Sequence, residues 1–420
     1  MQPVADPAVP EFVKKLQRID TYAEIEEIMK SPDFAMAGAA ERTIFLEGTL
    51  IMSEGRRHVE LKQLFAPLMS RQAMAYYELH LVEPVIQTAI AEMESKRGPD
   101  GLVRIDIVRI IKSALTRISA LVTGVDGVDT AKRIDRFLEL VLILSTATTG
   151  SFSTRPVTTV VQEGRDAMAE LVRDYLQVSL DRRKELVRRY RAGELAADQL
   201  PRDMLTAMCL QNDLTRPDDG EKIPYVWRQC ALFLTGSIKT TSHSLPHVFV
   251  HLDEWLQEHP ADRDRLDDLE FLHRAAAEAF RLHQVSPARF RAAGRDVTLS
   301  TGRRVAAGEM VALHAPLANV QTEVFGSDAR FFNPWRQTPP GMQPWGMTFG
   351  LGAHSCIGRN LVTGIMNKGD DKHGTHGTAV RFMAALYALG AELDPDNPPR
   401  RPTDSMHDHY DSVPMILRRL

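Results

Sequence analysis

Apolar positions recur at three- and four-residue spacing along most of the chain. That is the mark of helices packed by one face. The period predicts helices over 21–29, 54–68, 73–95, 106–122, 130–145, 160–190, 225–256, 267–283 and 379–389. Asp20-Thr21 followed by Glu24 reads as an N-cap with an acid in the first turn. Ser31-Pro32 closes that helix, because a residue before proline is pushed out of the helical region. Pro246 lies inside a helical period and predicts a kink there. Strand-like runs are short, at 296–299, 304–305, 310–313 and 413–417, with turn signals at Thr301-Gly302 and Ala307-Gly308. The pattern predicts a mainly α fold with small β-sheets, and no internal repeat is visible.

Composition narrows the class. The chain has 420 residues, 44% hydrophobic and 25% charged, enough for a large core in one or two domains. Its formal net charge of −4 gives no reason to expect nucleic acid as a partner. Cys209, Cys230 and Cys356 are too few for a disulfide framework and fit a reducing cytoplasm. No signal peptide or membrane anchor is expected, since no apolar run approaches eighteen residues. The basic run 181–190 reads as a solvated helix face.

The most informative stretch is Phe349-Gly350-Leu351-Gly352-Ala353-His354-Ser355-Cys356-Ile357-Gly358. Its glycines admit backbone angles that side chains forbid and let the chain approach a flat ring closely. Loop N–H groups can point at the cysteine sulfur and stabilise its charge. Phe349 shields the sulfur from water, and Gly358 lets the next helix pack close. These features suit a thiolate ligand to haem iron, which favours O–O cleavage. On these ten residues the chain resembles the cytochrome P450 family.

The resemblance implies one mainly helical domain over 1–420, with haem b buried between a distal and a proximal helix and Cys356 on the iron. It implies a structural network of Glu278 and Arg281, one helical turn apart, joined by Arg330 as a third member that helps hold the cysteine loop. His58, Lys62, Arg291 and His354 stand where the family binds the haem propionates, with Phe349, Gly350 and Gly358 against the haem. Lys62 replaces the usual arginine and loses its two-pronged donor.

The segment Leu232 to Thr241 resembles the family's distal helix. Gly236 and Ser237 then mark the oxygen groove, and Thr240 carries the hydroxyl that assists O–O cleavage. The family's acid position holds Lys239, and a cation cannot relay protons as a carboxylate does. Three readings follow. Lys239 points away and pairs with an acid, or it meets an anionic substrate, or the chain does not run ordinary O₂ activation. His243, one turn on, is a candidate proton donor. Two more departures are a short stretch before His58, implying a reduced first helix and first sheet, and a polar, glycine-rich insertion at 365–378. His373 and His376 within it are a weak metal signal, and a solvated loop is the default.

Segments 36–52, 232–243, 285–290 and 409–415 are expected to line the substrate pocket. Arg56, Arg57, Lys62, Arg71 and Arg359 would form a basic docking patch. The chain carries no flavin or iron–sulfur segment, so electrons would come from NAD(P)H through a separate ferredoxin and ferredoxin reductase. The expectation is a cytoplasmic, haem-dependent monooxygenase acting on a small organic molecule in secondary metabolism or catabolism. The alternatives are a peroxide-using or non-oxygenating haem-thiolate catalyst, and a catalytically silent haem protein that binds a ligand.

Overall fold

A computed structural model describes residues 2–95, 97–211, 214, 223–365 and 375–419. The expected long helices form. The 225–256 period becomes Tyr225–Glu258 and runs through Pro246 without a break. The 160–190 period becomes Val157–Leu171 and Gln177–Arg191, joined by a π-helical turn at Val172–Leu176. The 73–95 period divides likewise into Arg71–Tyr77 and Glu83–Glu94 around a π-turn at Glu78–Val82. Thr21 caps Tyr22–Lys30 by accepting from the Glu24 N–H, as its sequence indicates.

By packing, the chain divides into two compact units, each assembled from separate segments. Residues 1–38, 74–111 and 241–420 form the first, and 39–73 and 112–240 form the second. All strands among the described residues lie in the first unit. They are β1 Gln17–Ile19, β2 Phe34–Ala37, β3 Val103–Asp106, β4 Arg289–Ala293, β5 Val297–Thr298, β6 Arg304–Val305, β7 Met310–Leu313, β8 Ala391–Leu393 and β9 Pro414–Leu417. One sheet has the order β1-β7-β4-β2, a second has β3-β9-β8, and β5-β6 is a hairpin. β1 runs parallel to β7, and the other pairs are antiparallel. Ile19, Val311 and Leu313 of the first sheet pack with Ile25 and Ile28 of the helix Tyr22–Lys30, all fully buried. Burying each such side chain contributes roughly 1.5–3 kcal/mol.

The described residues of the second unit form helices and no strand. Ala131–Ala147 packs along Val157–Leu171, and Gly164 permits the close approach. A Cβ on Gly164 would stand 2.2 Å from the Ala147 Cβ and 3.0 Å from the Phe45 ring. Arg183 is buried between Asp126 and Asp203. Asp203 also caps Met204–Leu210 through the Thr206 N–H.

The insertion leaves and returns at one point. Arg359–Thr363 stops at Gly364, Ile365 bridges to Thr375, and a helix resumes as Gly377–Ala388. Residues 366–374, which include His373, lie outside the described residues. Gly364 and Gly377 both have positive φ and pack backbone to backbone, so a Cβ on Gly377 would stand 2.2 Å from the Gly364 nitrogen. Glu78 closes the junction. Its Oε2 accepts from the His376 and Gly377 N–H groups at 2.7 and 2.9 Å, and its Oε1 accepts from Arg381 at 2.8 Å. Glu78→Ala leaves these donors without their acceptor and should cost about 1–3 kcal/mol of stability in urea denaturation. Glu78→Gln keeps one acceptor oxygen and should cost less.

Candidate haem-binding site

The cysteine loop hangs from a buried ion network. Glu278 and Arg281 lie on the helix Leu269–Leu282, whose N-terminus Asp268 caps. Arg281 makes a two-pronged contact with Glu278, both bonds 2.7 Å, and the Arg281 side chain has no accessible surface. The third member is Arg336, not Arg330. Arg336 Nε reaches Glu278 Oε1 at 2.9 Å and also pairs with Asp328 at 2.7 Å. Arg330 instead pairs with Asp6 at 2.8 Å and donates to the Val4 carbonyl, with much of its side chain exposed. The turn after Asn333-Pro334 decides between them. The Asn333 N–H donates to Glu278 and the Trp335 N–H to the Asn333 side chain, which brings Arg336 round to the carboxylate.

From Arg281 the network reaches the loop in two steps. Arg281 Nη1 donates to the carbonyls of Asn319 and Ala329. The buried Asn319 side chain accepts from the Met347 N–H at 2.9 Å and donates to the Trp345 carbonyl and the Thr348 hydroxyl, both at 3.2 Å. Thr348 donates back to the Phe280 carbonyl at 2.6 Å. Arg289 of β4 donates to the Met347 carbonyl at 2.7 Å and to that of Thr348. Burial pulls the Arg289 guanidinium down to about 10, against the opposing charge of Cys356. Asn319, Thr348 and Arg336 were not foreseen. Only Arg336 had a signal in sequence, the Asn-Pro turn before it.

Cys356 itself is held by its N–H, which donates to the Phe349 carbonyl at 2.7 Å. Burial raises its thiol pKa, while the N–H groups of Gly358 and Arg359 and the guanidinium of Arg359 oppose the rise. Yet the Cys356 side chain has accessible surface. A group both desolvated and accessible lines a concavity. Gly358 faces open space, with nothing within 4 Å of a Cβ built there. Gly350 and Gly352 have φ of +71° and +67°, and a Cβ on Gly352 would stand 2.5 Å from the Met29 carbonyl oxygen. Phe349 packs edge-on against Phe280 and Trp345. These observations fit a flat group over the sulfur. Arg291 is buried on β4 on the same strand face as Arg289, two residues away, and His354 ends the short turn Gly352–His354.

The part of the long helix that lies in the second unit has an open face of its own. From Val226 to Val250 its exposed positions are Gly236 and Thr240, with Leu232, Phe233 and Ser237 partly open beside them. Nothing lies within 4 Å of a Cβ on Gly236. The Thr240 hydroxyl donates to the Gly236 carbonyl at 2.6 Å. Ser237 shares its hydroxyl with the Phe233 carbonyl and with Ser119, both at 2.7 Å. Lys239 points off this face, is buried, and donates to the Thr149 hydroxyl at 3.0 Å. Burial brings its ammonium down to about 8. His58 is buried and Lys62 half-buried, one turn apart on Gly55–Phe65. Of the residues expected to line a substrate pocket, Phe45, Leu46, Leu234, Phe290 and Val413 are buried as ordinary core.

A family profile for cytochrome P450 matches residues 16–367. The chain belongs to the cytochrome P450 family, the haem-thiolate monooxygenases. HmtT, involved in himastatin biosynthesis, shares its fold with a TM-score of 0.70 and 18% identity over 99% of this chain and 95% of that one. The LnmA hydroxylase of the leinamycin pathway of Streptomyces atroolivaceus aligns with a TM-score of 0.66 and 20% identity, over 95% of this chain and 89% of that one. The cytochrome P450 monooxygenase sphH of Aspergillus fumigatus is 32% identical over 108 residues, 24% of this chain. That match spans 20% of the length of sphH.

The two arginines predict opposite outcomes. Arg336→Ala removes one of the two guanidiniums on the buried Glu278 carboxylate and the donors to the Phe325 and Asp328 carbonyls, and should cost about 1–3 kcal/mol. It should also loosen haem retention on gel filtration. Arg330→Ala breaks an exposed pair and should cost about 0–1 kcal/mol, with haem content unchanged.

Proposed function

We propose that this chain is a haem-dependent monooxygenase that places one oxygen atom of O₂ into a small organic substrate. The observation that carries this reading is the desolvated yet accessible Cys356 in its rigid loop, with loop N–H groups turned toward the sulfur. Haem, when bound, supplies the redox centre at which O₂ is activated. Cys356 is the axial ligand. Its neighbouring N–H groups and Arg359 favour the thiolate, and Phe349 limits water access. By the family resemblance, Arg291, His354, His58 and Lys62 are the groups for the propionates.

Thr240 holds a proton at Oγ1, currently given to the Gly236 carbonyl, and both residues lie on the open helix face. Lys239 is turned from that face, so Thr240 takes its protons from another donor. This supports ordinary O₂ chemistry with the lysine in a structural place. A buried cation where the family has an acid also favours a second reading, turnover with peroxide. Product formed with NAD(P)H and a surrogate ferredoxin and reductase supports the first reading. Product with peroxide alone supports the second. A ligand-dependent spectral change with no product under either supply would favour a silent binding protein.

Separate ferredoxin and reductase partners are part of the proposal. The basic residues expected to dock them are partly neutralised, because Arg56 pairs with Glu60 at 2.9 Å and Arg57 approaches the same carboxylate at 3.7 Å. Among the described residues no helix is long and apolar enough to cross a membrane, which supports a cytoplasmic place. The biosynthetic roles in the names of HmtT and LnmA support a role in secondary metabolism. We read 1–420 as one catalytic domain, since the helix Tyr225–Glu258 passes from one unit into the other.

Two measurements test this. The reduced protein under carbon monoxide should show the long-wavelength Soret band of thiolate ligation, and Cys356→Ser should lose it. A shorter-wavelength band in the wild type would overturn the assignment. Lys239 tests the electrostatics. Its folded pKa of about 8 lies below the ordinary 10.5, so below pH 8 the fold bears the whole cost of a buried cation. Between those values the unfolded chain binds more protons, so wild-type stability rises with pH. Lys239→Met should therefore stabilise by up to about 3 kcal/mol at pH 7. That gain should shrink above pH 8 and vanish by about pH 10.5.

A further inference from the structure

Histidines gather in the first unit, apart from the cysteine loop. His243, His247 and His251 follow one another at single-turn spacing on the helix Tyr225–Glu258. The chain reversal after Leu269–Leu282 adds His283, and the C-terminal segment adds His407, Asp408 and His409. The centre of the group is compact. One ring nitrogen each of His247 and His283 and a carboxylate oxygen of Asp408 all lie within 4.8 Å of one another. His247 and His283 are buried.

We propose that His247, His283 and Asp408 form a binding site for a divalent first-row transition-metal ion, separate from the haem iron. Two imidazoles and a carboxylate are the donor set such ions take when positions remain open for water. Ligand atoms about 2.1 Å from an ion stand about 3.4 Å apart in tetrahedral geometry. His247 Nε2 stands 3.7 Å from an Asp408 oxygen, near that value, while His283 Nδ1 is hydrogen-bonded to Asp408 at 2.5 Å and must part from it as an ion enters. The two rings stack with centroids 3.7 Å apart and 10° from parallel, so one ring turns out of the stack for both to face a shared ion.

The outer partners are those of a metal-ligating histidine, whose second ring nitrogen is held by another group. His283 Nε2 lies 2.6 Å from His251 Nε2, and His251 Nδ1 lies 3.7 Å from Glu254. With an ion on His283 Nδ1, its Nε2–H donates to His251, whose Nδ1–H faces Glu254. This fixes the tautomer of both rings. Arg401 pairs with Asp408 from a half-exposed position and is the cation that the ion displaces. His243 and His409 stack on each other at 3.7 Å and stand outside the triad.

The test uses full-length, haem-loaded protein without a histidine tag, stripped with chelator and dialysed against Zn²⁺. One zinc per chain beyond the haem iron is expected. Zinc-edge X-ray absorption should show nitrogen and oxygen ligands with scattering from two imidazoles. His247→Ala and Asp408→Asn should each weaken zinc binding at least 100-fold while keeping the reduced carbon monoxide spectrum. His251→Ala should weaken it about 10- to 100-fold through the outer hydrogen bond. No retained zinc, a sulfur ligand in the wild-type spectrum, or binding unchanged in both ligand variants would overturn the proposal. If the variants lose haem, the wild-type stoichiometry and absorption spectrum decide alone.

Discussion

One carboxylate, Glu278, holds the cysteine loop to the rest of the first unit. It is buried and shared by two guanidiniums, Arg281 from its own helix and Arg336 from a distant turn. A buried ion pair is poor evidence of stability, since desolvating both charges offsets their attraction. Its value here is directional. Arg281 spends its remaining donor on the Asn319 and Ala329 carbonyls, and Asn319 fixes the backbone at Trp345 and Met347. The loop that presents Cys356 begins there. Planar, charge-assisted bonds define orientation as well as distance.

Burial disfavours the charged form of both the sulfur and the lysine, and the chain answers it differently at each. At Cys356 burial opposes the thiolate, and backbone N–H groups and Arg359 restore part of what it loses. A metal ion takes the charged form, so this balance suits a ligand. At Lys239 burial lowers the ammonium's pKa, and the side chain turns to Thr149 and off the open helix face. The position that names the family's acid is therefore not a position on the accessible stripe in this chain. Gly236 and Thr240 are on that stripe.

The insertion shows how a fold tolerates added chain. Two positive-φ glycines, one bridge and the Glu78 carboxylate seal the base of the excursion, so helix packing resumes where it stopped. The energetic cost lies in ordering the junction, because loop-closure entropy grows slowly with length. The same economy of local contacts explains the histidine group. Single-turn spacing puts three imidazoles on one helix side, and a short C-terminal segment supplies the carboxylate.

The long helices were legible because a 3.6-residue period persists over many turns. The cysteine loop was legible because its glycines and cysteine are adjacent in the chain. Glu278 with Arg281 needed only one helical turn. What the sequence left open depends on contacts between distant segments. β5 and β6 form a local hairpin that the Thr301-Gly302 turn marks, whereas β1 to β4 and β8 pair with segments further along the chain. The third arginine of the network could not be chosen by spacing, because Arg330 and Arg336 lie six residues apart and a turn at Asn333-Pro334 selects between them. Asn319, lone and polar, becomes a keystone only when Arg281 and Met347 meet it. The direction of Lys239 was set by helix rotation and packing, since spacing names a position but not what surrounds it.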